Sequence, residues 1–286
     1  MIKRRAPLRT GLIYAALLAW AFVVILPLYW TVVTAFKVRA DVFTGPKYLP
    51  WIDYQPTLEH WERFFITDWR FFSLQYTNSI IVGTISSVLA TAIGALAAYA
   101  LVRFKYVLGG RERNRDIAFW FVSQRILPPV AVVIPLYVMF QQIKLFDTQA
   151  GLILAYVAFN LPLAVWLLQD YFAGIPAELE ESALIDGCSR FQAFVRITLP
   201  LVTPGLVATF LFVLVFAWNE YIIALFLSQS NAQTMPILIA AQNAQRGPEW
   251  SAISVLTIVT IAPVCVIAVF LERYISRGLL VGAVKG

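Results

Sequence analysis

Charge is what this sequence has least of. Only 13% of its 286 residues are Asp, Glu, Lys or Arg, and 60% are hydrophobic; an ordinary soluble domain carries about 25% charged residues. So few charges cannot cover a soluble surface of this size, so much of the exterior is expected to face lipid. Histidine occurs once, at His60 beside Trp61. A lone histidine offers no metal site, and His60 is expected in a loop. The two cysteines, Cys188 in a polar segment and Cys265 in an apolar run, imply no disulfide framework. No Gly-x-x-x-x-Gly-Lys-Ser/Thr loop, serine elbow, His-Glu-x-x-His or Cys-x-x-Cys occurs. The chain therefore reads as no enzyme, with no cofactor of its own. Its net charge of +6 does not mark a nucleic-acid binder, because the basic residues sit in the gaps between apolar runs.

What is present is a series of long apolar runs. Crossing a bilayer as a helix takes about 20 apolar residues. Six stretches qualify: Leu12–Phe36, Asn78–Val102, Ile117–Ile143, Ala150–Tyr171, Leu201–Leu227 and Ser251–Leu271. The first follows Lys3, Arg4 and Arg5, but its apolar core exceeds the roughly 7–15 residues of a signal peptide, so it is expected to be a retained span. With the N-terminus inside, the connections 1–11, 103–116, 172–200 and 272–286 hold fourteen Lys and Arg. The connections 37–77, 144–149 and 228–250 hold seven. The positive-inside rule then places both termini in the cytoplasm, although Lys37 and Arg39 lean the other way. The extracytoplasmic segment 37–77 is broken by Pro46, Pro50 and Pro56. Thr57 can cap a short helix there, with Leu58, Trp61 and Phe65 on one face.

The connection 172–200 reads as two short helices. Pro176 suits a first turn, Glu178, Glu180 and Glu181 suit the positive end of a helix dipole, and Gly187 suits the residue that ends it. Ser189 and Gln192 form a capping box for a second helix, with Phe191, Phe194 and Val195 on one face. Leu179, Ala183 and Leu184 give the first helix an apolar stripe. Two readings fit that stripe: it packs back on its own bundle, or it meets another protein.

The run Glu180-Glu181-Ser182-Ala183-Leu184-Ile185-Asp186-Gly187, followed by Ile197-Thr198-Leu199-Pro200, resembles the E-A-A-x(3)-G-x(9)-I-x-L-P signature of bacterial ABC-importer permeases. Ser182 replaces the first alanine. Gly174-Ile175-Pro176, Ala217-Trp218-Asn219-Glu220-Tyr221 and Gly282-Ala283-Val284-Lys285-Gly286 resemble the carbohydrate branch, and within it the maltose-type G subunits, over nearly the whole chain. The resemblance implies an all-α membrane protein of six transmembrane helices, the MetI-like type I importer bundle. Its permease domain is expected over 77–271, after an N-terminal region (1–76) and before a tail (272–286). It implies a bacterial inner-membrane sugar or polyol importer, of which this chain forms half the pathway. The implied partners are a second, different permease, two ATP-binding subunits that hold ATP and Mg, and an extracytoplasmic sugar-binding protein. The 178–187 helix would be the coupling helix, with Glu180, Glu181, Ser182, Ala183, Asp186 and Gly187 at the ATPase. Gly282, Val284, Lys285 and Gly286 would reach the ATPase interface.

Polar groups at membrane depth are the remaining candidates. Gln124 and Arg125 precede Pro128-Pro129, whose missing N–H groups free the Gln124 and Arg125 carbonyls. Such a helix must face protein or a wet cavity. Asn160, Asn219 and Glu220 complete the set. Each fits either a substrate contact or an ordinary interhelical bond, and in maltose-type transporters the partner permease makes most substrate contacts. The small residues Gly83, Ser86, Ser87, Ala90, Gly94 and Ala98 are read as packing. The competing function is a secondary transporter or channel, which would need its own coupling-ion site.

Overall fold

In a computed structural model, described for residues 7–244 and 247–283, the chain is helical nearly throughout. α1 (Pro7–Thr34) is the first apolar run, and none of its most apolar stretch is buried. After it come two short helices, α2 (Arg39–Phe43) and α3 (Glu59–Glu62). α4 (Trp69–Arg103) is 35 residues long. The third apolar run forms α5 (Asn114–Ser123) and α6 (Pro129–Gln142). Next come α7 (Gln149–Ala173), α8 (Glu178–Ile185), α9 (Arg190–Ala193), α10 (Leu199–Trp218), α11 (Ile222–Leu227), α12 (Met235–Ala241) and α13 (Trp250–Ala283). Five helices are long and apolar enough to cross a membrane, and the α5–α6 pair makes up to six.

Four expectations need correction. The third run is not one kinked helix: α5 and α6 meet at 90°. Leu127 is extended, as a residue before proline must be, and Pro129 opens α6 where a missing N–H costs nothing. The fifth run stops at Trp218, and α11 is a separate piece. The helix expected after Ser189 is not free-standing. α9 runs through a widened turn (Phe194–Thr198) into α10, so Arg190–Trp218 forms one apolar helix. His60 also departs from the loop reading, being buried in α3. The capping box at Ser189 and Gln192 is present, with both hydrogen bonds made.

By contacts the chain divides into two compact units, Met1–Phe72 with Leu238–Ile261 and Ser73–Ile237 with Ala262–Gly286. In this division Leu238–Ile261 clusters with the N-terminal segment. An Arg39–Glu249 ion pair lies within that first unit. Lys37 is buried there; its Nζ donates to the Lys47 carbonyl (2.6 Å) and sits 4.2 Å from the Trp30 ring centroid. Burial lowers its pKa, against the pull of Asp41.

In the second unit the small residues of α4 allow close packing. A Cβ on Gly83 would sit 3.1 Å from Trp218, and one on Gly94 only 2.6 Å from Ala164 Cβ. Ser86, Ser87, Ala90 and Ala98 are buried. Buried clusters in this unit lie around Phe140, Tyr156 and Leu227, around Leu168, Phe172 and Phe194, and around Ala90, Ala164 and Val213.

Candidate functional site

Two features of the second unit concern function: a cleft at the α5–α6 break and the α8 turn at one end of the bundle. The cleft has a volume of about 520 Å³. Gln124, Arg125, Tyr156, Phe159, Asn160, Phe216 and Glu220 line it among apolar side chains. Arg125 lies in the turn at the break (Gln124–Ile126), which packs against α7. Arg125 Nη1 donates to the Phe159 carbonyl (3.2 Å), and its guanidinium lies 4.9 Å from the Phe216 ring centroid. Asn160 donates to the Tyr156 carbonyl one turn back (3.0 Å) rather than to another helix. Glu220 accepts from the Ile223 N–H (3.0 Å) and so caps α11. Gln124, Arg125, Asn160 and Glu220 therefore meet in one place. Asn219 does not line the cleft; its amide turns back to the Val215 carbonyl (2.8 Å).

Arranged this way, a cation, an amide, a carboxylate and aromatic faces border one apolar hollow. That set can hydrogen-bond hydroxyls and cover an apolar ring face. It holds no nucleophile–base pair. Among the described residues no cluster of His, Cys, Asp and Glu could hold a metal ion.

At the other feature, α8 ends in a Schellman motif. Cys188 N–H donates to the Ala183 carbonyl (2.9 Å), Gly187 N–H to Leu184 (3.1 Å), and Gly187 has φ +86°. The helix splits into two faces. Glu180 and Ala183 point inward, whereas Glu181, Ser182, Asp186 and Gly187 are exposed. The expected stripe divides accordingly, with Leu179 outward. Phe194 is buried, but Leu179, Ile185, Phe191 and Val195 are exposed, Ile185 at 86%. Glu180 accepts from Arg103 Nε (2.7 Å) and from the Tyr99 hydroxyl (2.7 Å). Burial alone would raise its pKa; its hydrogen-bond donors, Arg103 and Tyr99 foremost, together with the Arg103 charge, outweigh burial and hold the carboxyl below its usual value. Gly282 lies in α13, while Val284, Lys285 and Gly286 lie outside the described residues.

Sequence reasoning missed Tyr99, Arg103 and Asp147. Arg103 counts in the sequence only as one loop charge, and its partner is 77 residues away. Asp147, at φ +55°, accepts from the backbone N–H groups of Gln229, Asn231 and Ala232 at 2.9–3.0 Å, and from Ser230. Burial opposes ionisation, but these donors hold its pKa below the usual value. At the same end Asn78 binds the Asn231 and Gln233 carbonyls (2.8 and 2.9 Å) and accepts from Gln149 (2.7 Å). The connections around residues 147 and 230 thus share one end of this unit, and Arg103 shares the other with α8.

Residues 90–281 match the family model described as the binding-protein-dependent transport system inner membrane component. The chain belongs to that family: it is an ABC-importer permease subunit, a membrane component and not an enzyme. Over 285 residues it is 30% identical to a trehalose/maltose transport permease of Thermococcus litoralis, covering 99% of each chain. It is 36% identical over 265 residues to a trehalose transport permease of Mycobacterium tuberculosis, covering 92% of this chain and 93% of that one. In a solved bacterial ABC transporter that imports alginate, one chain superposes with TM-score 0.71 at 20% identity, covering 96% of this chain and 99% of that chain. That likeness shows the type I importer fold.

Proposed function

We propose that this permease passes a sugar or related polyol across the inner membrane, forming half of a pathway with a second, different permease. The observation that carries this reading is the near full-length match to sugar permeases. The cleft supports it, since Arg125, Asn160 and Glu220 border apolar and aromatic surface suited to a polyhydroxylated ring. An extracytoplasmic binding protein delivers the substrate, and two ATP-binding subunits hold ATP and Mg. α8 is the helix that docks on them. Leu179 and Ile185 on α8, with Phe191 and Val195 just beyond it, are exposed and offer apolar area that solvent alone leaves uncovered, beside the acidic Glu178, Glu181 and Asp186. The tail at Gly282, Val284, Lys285 and Gly286 reaches the same subunits. An ion-coupled transporter fits less well. Among the described residues Glu180 is the buried carboxylate, and it is paired with Arg103 at the end of the bundle.

The test is uptake of a panel of labelled sugars and polyols by the purified complex in liposomes, with its binding protein. ATP-dependent uptake of one sugar class is expected. Arg125→Leu should lower it about tenfold, the effect of roughly 1.4 kcal/mol, with complex yield preserved. Uptake driven by an ion gradient without ATP would refute the importer reading. Unchanged uptake in Arg125→Leu would remove that residue from the pathway.

Both termini lie in the cytoplasm in this proposal, supported by the fourteen-to-seven count of basic residues. An impermeant thiol reagent added outside should modify a cysteine placed near Gln229, on the Asp147 end, and spare one at Gly110, on the α8 end. The reverse pattern would invert the orientation.

A further inference from the structure

α8 has two covalent neighbours. It follows α7 through residues 174–177 and precedes α9 and α10 through residues 186–189. Both links are turns, one holding Gly174 and Pro176, the other Gly187 at φ +86°. α4 does not adjoin α8 in the chain, yet it makes a buried ion pair with it. Arg103 and Glu180 pair with side chains only 12% and 11% exposed. Arg103 is the last residue of α4, where the helix dipole favours a cation. Its Nε donates to one Glu180 oxygen, and its Nη2 donates to the Ile175 carbonyl at 2.9 Å, before the Pro176 turn. The guanidinium thus grips the chain on both sides of that turn. Tyr99, one turn back on α4, donates to the second Glu180 oxygen. Its ring packs 4.5 Å from Phe194, in the turn between α9 and α10, and 5.7 Å from Phe172 of α7.

One carboxylate and one ring therefore join four elements that the backbone alone would leave hinged. We propose that Arg103, Glu180 and Tyr99 form a positioning latch that makes α8 move as one body with α4, so that displacement of α8 reaches the cleft-bearing bundle through α4 as well as through its two turns. The latch rests on α8 being the ATPase-docking helix. Its residues bind no substrate or nucleotide; they act by holding α8.

The directionality of the bonds accounts for the residue types. A lysine has no planar fork to span the carboxylate and the Ile175 carbonyl together. A glutamine in place of Glu180 keeps the shape but leaves the buried guanidinium without a counter-charge. A phenylalanine in place of Tyr99 keeps the ring packing and removes one charge-assisted hydrogen bond.

The measurement is the number of sugar molecules taken up per ATP hydrolysed, in liposomes holding the full complex and its binding protein. In the complex that assembles with the ATP-binding subunits, Glu180→Gln and Arg103→Lys should hydrolyse ATP yet transport about tenfold fewer molecules per ATP, the size of effect expected from losing a hydrogen bond to a charged group. Tyr99→Phe should lower the ratio in the same direction by a smaller factor. A merely structural role predicts the opposite: lower yield of complex at an unchanged ratio. That result would overturn the latch. If Glu180→Gln does not assemble, Tyr99→Phe and Arg103→Lys decide by the same ratio. Ile185→Asp, on the exposed face of α8, separates the two ideas. If it leaves docking and uptake normal, the docking reading itself fails. If it undocks the ATP-binding subunits while the latch variants keep a normal ratio, only the latch fails.

Discussion

Ala183→Asp is expected to abolish ATP-coupled uptake. Ala183 is 5% exposed on the inward face of α8, one turn after Glu180. An aspartate there would bury a second carboxylate beside one that Arg103 already satisfies. An uncompensated buried charge costs about 3–5 kcal/mol. A helix of eight residues is too short to hold itself against that loss, so α8 should leave its seat. The spans are independent of this seat and should still insert. The check has two parts: recovery of the complex with its ATP-binding subunits, and ATPase stimulation by the loaded binding protein. Normal stimulation together with normal uptake would show that the seat of α8 does not matter for coupling. Ala183→Ser, small and able to bond the preceding turn, should stay close to the wild type.

Gly205→Leu should prevent the second unit from packing. A Cβ at Gly205 would stand 2.3 Å from Tyr171 Cγ and 2.6 and 2.7 Å from the two Cδ atoms. These atoms are the root of the ring, so the tyrosine cannot swing aside as a flexible chain end could. Relief requires α7 and α10 to separate, and they pack together in this unit. Overpacking of this kind costs about 1–3 kcal/mol for added methylenes, and a leucine adds a whole branched side chain. Loss of monodisperse complex after detergent extraction, or a clear drop in its melting temperature, is the expected result. A variant as stable as the wild type would show that the helices are not in contact there. Gly187→Leu provides the contrast. Nothing lies within 4 Å of a Cβ at Gly187, so the cost is the left-handed backbone alone, about 1–2 kcal/mol. That variant should keep the bundle and disturb only the α8 turn.

The composition and the apolar runs determined most of the architecture, because lipid leaves a backbone few ways to satisfy its own polar groups. The lengths of those runs placed the spanning helices to within a few residues at many ends, and the glutamate-rich run closing at Gly187 marked α8 and its Schellman end. Pro128 and Pro129 announced a disturbance in the third run, since the loss of two N–H donors is local and legible. Tertiary packing alone decided its size: a right angle, not a kink, which brings Arg125 to Asn160 and Glu220. The direction in which α8 faces was equally hidden. Its stripe fitted two readings, and only the pairing of Glu180 with Arg103 and Tyr99, separated by 77 and 81 residues, turns Glu180 and Ala183 inward and leaves Ile185 outside. Asp147 had no signal at all, because its partners are backbone N–H groups of a loop more than 80 residues away. The apolar periodicity and the turn residues of a sequence act over a few residues and can be read there. Which buried carboxylate meets which distant donor depends on how the helices stack, and that is a property of the packed bundle.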